Sequence, residues 1–145
     1  MAAIRIVVAD RSEAIFFDAK SRRSKPVEVA RLVDAEAREH ERELRTDRPG
    51  RTFESVGSAR HAMEFHSARR AIAEQRFARR IARRLDTGAR RGEFGRVVLV
   101  AGPRFLGALR RALSPTTRAL LTTEERKNLV SLPDDERLAA LRRII

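Results

Sequence analysis

Apolar residues come in short runs along the first quarter of the chain. "IRIVVA", Ile4 to Ala9, predicts a buried strand, and "AIFFDA", Ala14 to Ala19, predicts a second one after the turn residues Asp10 to Glu13. A hairpin is the simplest connection between them. "PVEVARLVD", Pro26 to Asp34, alternates imperfectly, with Ala30 and Leu32 facing away from Val27, Val29, Arg31 and Val33, and predicts a third, more exposed strand. The charged segment Ala35 to Arg45 predicts a loose helical turn.

The period then changes. From Ser67 to Arg91, at 100° per residue, Ala71, Ala78, Ile81, Ala82, Leu85 and Ala89 fall within an arc of about 100°, with Arg69, Arg76, Arg79, Arg80, Arg83, Arg84, Arg90 and Arg91 around the opposite half. One amphipathic helix is expected, with Gly88 and Gly92 bracketing its end. "GRVVLVAGPRFLGALRRAL", Gly95 to Leu113, reads strand, tight turn, helix. Its run Val97 to Ala101 is apolar enough to be buried on both sheet faces, and Pro103 suits a first helical turn. A last strand is expected over Ala119 to Glu124, and a C-terminal helix after Pro133, with Asp134 and Asp135 at its start and arginines in its last turn.

Strands alternating with helices over 145 residues predict one α/β domain. The expected architecture has three layers around a mixed sheet of about five strands, RNase H-like or Rossmann-like in class. One stretch fits no element. "RTDRPGRTFESVGSARHAME", residues 45–64, carries four arginines, two glycines, a proline and a histidine with little to bury, and a long functional loop is expected over residues 45–66.

Charge changes this picture of an ordinary domain. The formal net charge is +12, and of 32 basic residues only Lys20, Lys25 and Lys127 are lysines. Such an excess favours anionic partners through long-range attraction and phosphate contacts. Most of it is concentrated, with 19 arginines against 9 acids from Arg38 to Arg111. With no cysteine there is no disulfide framework and no thiol chemistry. The first residues, "MAAIRIVVADRS", hold too short an apolar run for a signal peptide, and no segment reaches the roughly 18 to 20 apolar residues of a membrane span. A cytoplasmic protein without cofactor or metal is expected.

Candidate chemistry is sparse. Asp10 sits at the end of the first strand, where open α/β sheets bind ligands, and an acid there either caps a turn or opens a pocket. His61, Glu64 and His66, with His40 upstream, match no zinc spacing, and helix geometry keeps positions 61 and 66 off one face. His61 and Glu64 are instead expected to organise the loop at the start of the helix. No Gly-Lys-Ser/Thr and no Gly-x-Gly-x-x-Gly occurs, which argues against a mononucleotide or dinucleotide site. Arg104, after the turn "AGP", is placed to meet an anion with helix N-terminal amides. In the long helix only Glu74 and Asp86 accompany the arginines, too few for the usual ladders of ion pairs.

Several stretches together resemble a known family. "VVAD", "AIFFDA", "RTDRPGRTFES", "RHAME", "QRFARRIARRL" and "LVAGPRFLGALRRAL" look like the bacterial host attachment protein family, described as required for attachment to host cells. The resemblance spans nearly the whole chain and is most specific at Asp47 to Phe53, Arg60 to Glu64 and Pro103 to Leu109. The chain departs from the family at Gly57, Ser58 and Ala59, where a glycine-rich run is usual, and at Lys127, Asn128 and Leu129, where "KDL" is usual. The family in turn is similar to bacterial relatives of the archaeal and eukaryotic peptide-chain release factor, which implies an RNase H-like fold and a role at the ribosome. The adjacent glycines of that factor's Gly-Gly-Gln tripeptide are absent here, which argues against peptide release.

The resulting expectation is a non-catalytic protein that binds RNA or the ribosome. Arg45, Arg48, Arg51 and Arg60 would supply phosphate contacts from the loop, Arg76, Arg80, Arg83 and Arg84 would extend them along the helix, and Arg104 would add one from the turn. The alternatives are an enzyme or small-ligand protein acting on an anionic substrate near Asp10 and the central loop, and an adaptor for acidic protein partners. Convergence of Asp10, His61, Glu64 and Arg104 on one pocket would favour the enzyme.

Overall fold

Five strands pair into one mixed sheet in a computed structural model that describes residues 2–39 and 56–145. β1 (Ile4–Ala9) turns directly into β2 (Glu13–Ala19), antiparallel to it, and β3 (Val27–Val33) adds to the outer edge of β2. The chain is first helical at residues 35–39. Beyond residue 55 come the long helix α1 (Val56–Arg90), β4 (Arg96–Ala101), α2 (Pro103–Ala112), the short α3 (Pro115–Leu120), β5 (Leu121–Arg126) and α4 (Asp134–Ile144). β4 lies parallel to β1, and β5 parallel to β4, giving the order β3-β2-β1-β4-β5.

Helices cover both faces, which explains why the central strands read as unbroken apolar runs. Alternate residues serve different cores. Val7, Ala9, Phe16, Val97 and Leu99 pack under α1 and α2, whereas Ile6, Val8, Ile15, Val98 and Val100 pack toward Leu129, Val130 and α4. The edge strand β3 is half covered, with Val27 61% and Val29 48% exposed, as its broken alternation predicts. On β3, the Arg31 guanidinium grips both oxygens of Glu28 at 2.9 Å and holds that carboxyl below its ordinary value of 4.5.

One cation interrupts the central core. Arg5, 6% exposed near the start of β1, faces Asp18 across the strand pair, bonds it through Nε and through Nη2 at 3.1 Å, and lies 4.6 Å from the centre of the Phe94 ring. Strand register thus supplies the counter-charge that burial demands. The same logic holds at α4, where buried Arg137 donates to the carbonyls of Leu129, Val130 and Leu132 and stitches the preceding segment to the helix.

The elements fall where periodicity places them, with three differences. The last strand is Leu121–Arg126, two residues later than expected, because Ser114 caps Thr117 and α3 takes the chain as far as Leu120. The long helix stops at Arg90, and Gly92, at φ 69°, reverses the chain. The largest difference is at the other end, where residues 56–66 are helical and not loop. Their residues explain it: Ala59, Arg60, Ala62, Met63, Glu64 and Ala68 are good helix formers, and extending a helix already fixed by packing adds one hydrogen bond per residue at little further cost. Residues 45–55 of the expected loop lie outside the described residues.

Candidate anion-binding groove

The second half of α1 is laid on the sheet by Phe77, Ala78, Ile81, Ala82 and Leu85, all buried. Its opposite side is therefore forced outward, and that side is arginine. A groove of about 550 Å³ runs between α1 and the end of α2, lined by Arg76, Arg79, Arg80, Arg83, Ala82, Asp86, Ala112 and Ser114. Asp86 is engaged, accepting from the Ser114 hydroxyl at 2.6 Å and pairing with Arg90 at 3.0 Å. Over its whole length α1 carries nine arginines against three acids, and the second of these, Glu74, is buried against Arg104 of α2 at 3.1 Å. Arg76, Arg79 and Arg83 form no ion pair among the described residues, and all three are exposed. Four like charges on two successive helical turns repel one another, so the groove is a standing positive potential that an anion would relieve.

Of the arginines expected on the ridge, the structure brings Arg76, Arg80 and Arg83 together and adds Arg79, which the i, i+3 and i+4 spacing with Arg76 and Arg83 already signals. Arg84 goes elsewhere. One residue on from Arg83, it is turned about 100° round the helix, and its guanidinium lies 5.5 Å from the Phe16 ring. Arg80 is partly diverted too, 5.5 Å from the Phe77 ring and 3.5 Å from the Val33 carbonyl. Arg60 is exposed on the first turns of α1, while Arg45, Arg48 and Arg51 lie outside the described residues.

A second cavity, about 710 Å³, opens where the chain leaves β1 and β3, lined by Arg11, Asp34, Glu36, Glu39, Arg69, Arg70, Glu74 and Arg76 among others. Its cations and acids are balanced, which makes it a weaker anion site than the groove. Asp10 takes no part in it. Its Oδ1 accepts from the Ser12 amide at 2.8 Å, the Ser12 hydroxyl at 3.1 Å and the Glu13 amide at 2.8 Å, the bonding of a turn cap. His61 and Glu64 stand exposed on the α1 helix, and Arg104 is held by Glu74. None of Asp10, His61, Glu64 and Arg104 lines either cavity. Among the described residues no group of three or more His, Asp or Glu is placed to hold a metal ion.

Comparison with known proteins bears on the whole chain. Residues 5–141 match the family described as "Protein required for attachment to host cells". The chain belongs to the host attachment family. That match runs from the second residue of β1 into α4, so the groove belongs to the family domain and not to an appendage. No curated protein matches the chain. Among solved structures, one titled "Archaeal protein" aligns over 98% of this host attachment chain at 13% identity and a TM-score of 0.46, and the chain spans 36% of that protein's length. No helix among the described residues is long and apolar enough to cross a membrane.

Proposed function

We propose that this host attachment family protein binds RNA, free or within ribosomal particles, through the arginine groove of α1. The observation that carries the reading is the groove itself: four arginines of one helix on one concave surface, with its single acid already engaged by Ser114 and Arg90. Arginine suits the role, since its planar fork meets phosphate oxygens in pairs and remains charged at any physiological pH. Attachment to host cells would then be a downstream result of RNA binding and not adhesion by this surface.

The test is sedimentation of the tagged protein from lysate through sucrose gradients at two salt concentrations, with bound RNA sequenced. Co-migration with RNA or ribosomal particles, lost at high salt, supports the reading. The variant with Arg76, Arg79, Arg80 and Arg83 all replaced by Gln should migrate free, because each phosphate contact removed lowers the log-log salt slope by about 0.7 to 0.9. Wild-type protein that carries no RNA at low salt, or a variant that still carries it, refutes the reading.

A further inference from the structure

The arginine surface does not end with the groove. At 100° per residue, Phe65, Arg69, Ile72, Arg76, Arg79 and Arg83 fall within an arc of about 80° on α1, a single stripe about 27 Å long from Phe65 to Arg83. Six phenylalanines are described. Five of them, Phe16, Phe17, Phe77, Phe94 and Phe105, are buried, whereas Phe65 is 61% exposed. It stands at the outer end of the stripe with the Arg69 guanidinium 5.6 Å from its ring centre and the His66 ring edge-on at 6.1 Å, and most of its surface stays in solvent.

Resting on the RNA reading above, we infer that the nucleic acid is single-stranded and that Phe65 stacks one of its unpaired bases while Arg69, Arg76, Arg79 and Arg83 follow its phosphates. An exposed ring beside a run of cations is the combination that holds single strands without reading their sequence, since every base offers a π-face. A duplex offers no free base to such a ring, and a base-free polyanion has no use for it. Ile72, 52% exposed between Phe65 and the groove, gives the stripe an apolar step on which a second base can rest, beside the charge-balanced cavity that Arg69, Ile72 and Arg76 line together with Asp34, Glu36, Glu39 and Glu74.

The chain contains neither tryptophan nor tyrosine, so Phe65→Trp places the sole strong fluorophore at the predicted stacking position. The probes are oligoadenylate of about 12 nucleotides, its duplex with oligouridylate, inorganic polyphosphate, and phosphatidylglycerol vesicles. Quenching of the introduced tryptophan by oligoadenylate and not by polyphosphate, with Phe65→Leu weakening oligoadenylate binding roughly tenfold and leaving polyphosphate binding unchanged, is the expected result. Equal binding of single strand, duplex and polyphosphate without quenching overturns the stacking role and leaves the RNA reading standing. A blue shift on vesicles at concentrations where oligoadenylate has no effect would assign the stripe to a lipid surface and overturn it as well. Failure of wild-type protein to bind oligoadenylate at low salt removes the RNA reading and this inference together.

Discussion

Two halves of one helix behave as different objects. From Phe77 to Leu85, α1 puts five buried side chains on the sheet, while from Arg60 to Arg69 every residue of the same helix is exposed. At 35 residues the helix is about 52 Å long, well beyond what a five-stranded sheet of six- or seven-residue strands can cover. The inner half is held by tertiary packing, and the outer half by backbone hydrogen bonding and helix-forming residues. The inner half has one face to spare for arginines, and the outer half has all of its faces. That difference teaches where a small basic domain can afford exposed charge and an exposed aromatic ring without eroding its core.

The comparison can be broken most severely from the inner half. Leu85→Ala should cost about 2 to 5 kcal/mol in urea unfolding, because Leu85 is fully buried and the strands beneath cannot collapse into the space left. A cost below about 1 kcal/mol would mean that the inner half is not held by packing. Gly88→Ala comes next. A methyl group there would sit 2.6 Å from the buried Phe94 ring, so overpacking of about 1 to 3 kcal/mol outweighs the roughly 1 kcal/mol gained in helix propensity. Stabilisation by this substitution would show that Phe94 can move aside.

Glu74 marks the boundary between the halves. Removing it in Glu74→Ala should cost about 1 kcal/mol, since its partner Arg104 is 65% exposed and rehydrates. Arg104→Ala should cost more, roughly 1 to 3 kcal/mol, because it leaves the buried Glu74 carboxylate without its partner, and urea curves in which it costs less than Glu74→Ala would contradict the pairing. The ridge sharpens the contrast by its sign. Replacing Arg76, Arg79, Arg80 and Arg83 with Gln should leave the protein as stable as before or more stable by up to about 1 kcal/mol, because like charges at i, i+4 repel by about 0.2 to 0.5 kcal/mol each. Added salt should shrink that gain, and a marked loss of melting temperature would make the ridge structural. The smallest effect belongs to the outer half: Phe65→Ala should shift stability by less than about 0.5 kcal/mol, and a larger shift in thermal melts would mean that the ring packs against something.

Much of this was legible in the chain. Ala78, Ile81, Ala82 and Leu85 were readable as a core face because a helix repeats every 3.6 residues whatever it packs against. Phe77 is 1% exposed although it lies outside that arc, and Phe105 of α2, 6.1 Å away between ring centres, is among the core residues that cover it. The start of α1 at Val56 was hidden because a segment with nothing to bury looks like loop, and hydrophobic period is silent there. Asp10 allowed two readings, and its three hydrogen bonds to Ser12 and Glu13 settle on the turn.

By itself, the sequence determined the strand runs, the inner face of α1, and an arginine excess that no arrangement could fully neutralise. These follow from backbone geometry and charge count, which act over a few residues or over the whole molecule. Only the tertiary structure decided which arginines share a groove. Arg79 joins Arg76 and Arg83 because α2 ends beside them, Arg84 is lost to Phe16 because β2 lies on that side, and Glu74 is spent on Arg104. Neighbours across the fold come from strand order and helix placement, and those are set by how two apolar faces of one sheet are covered, a property of the whole core that no local stretch encodes.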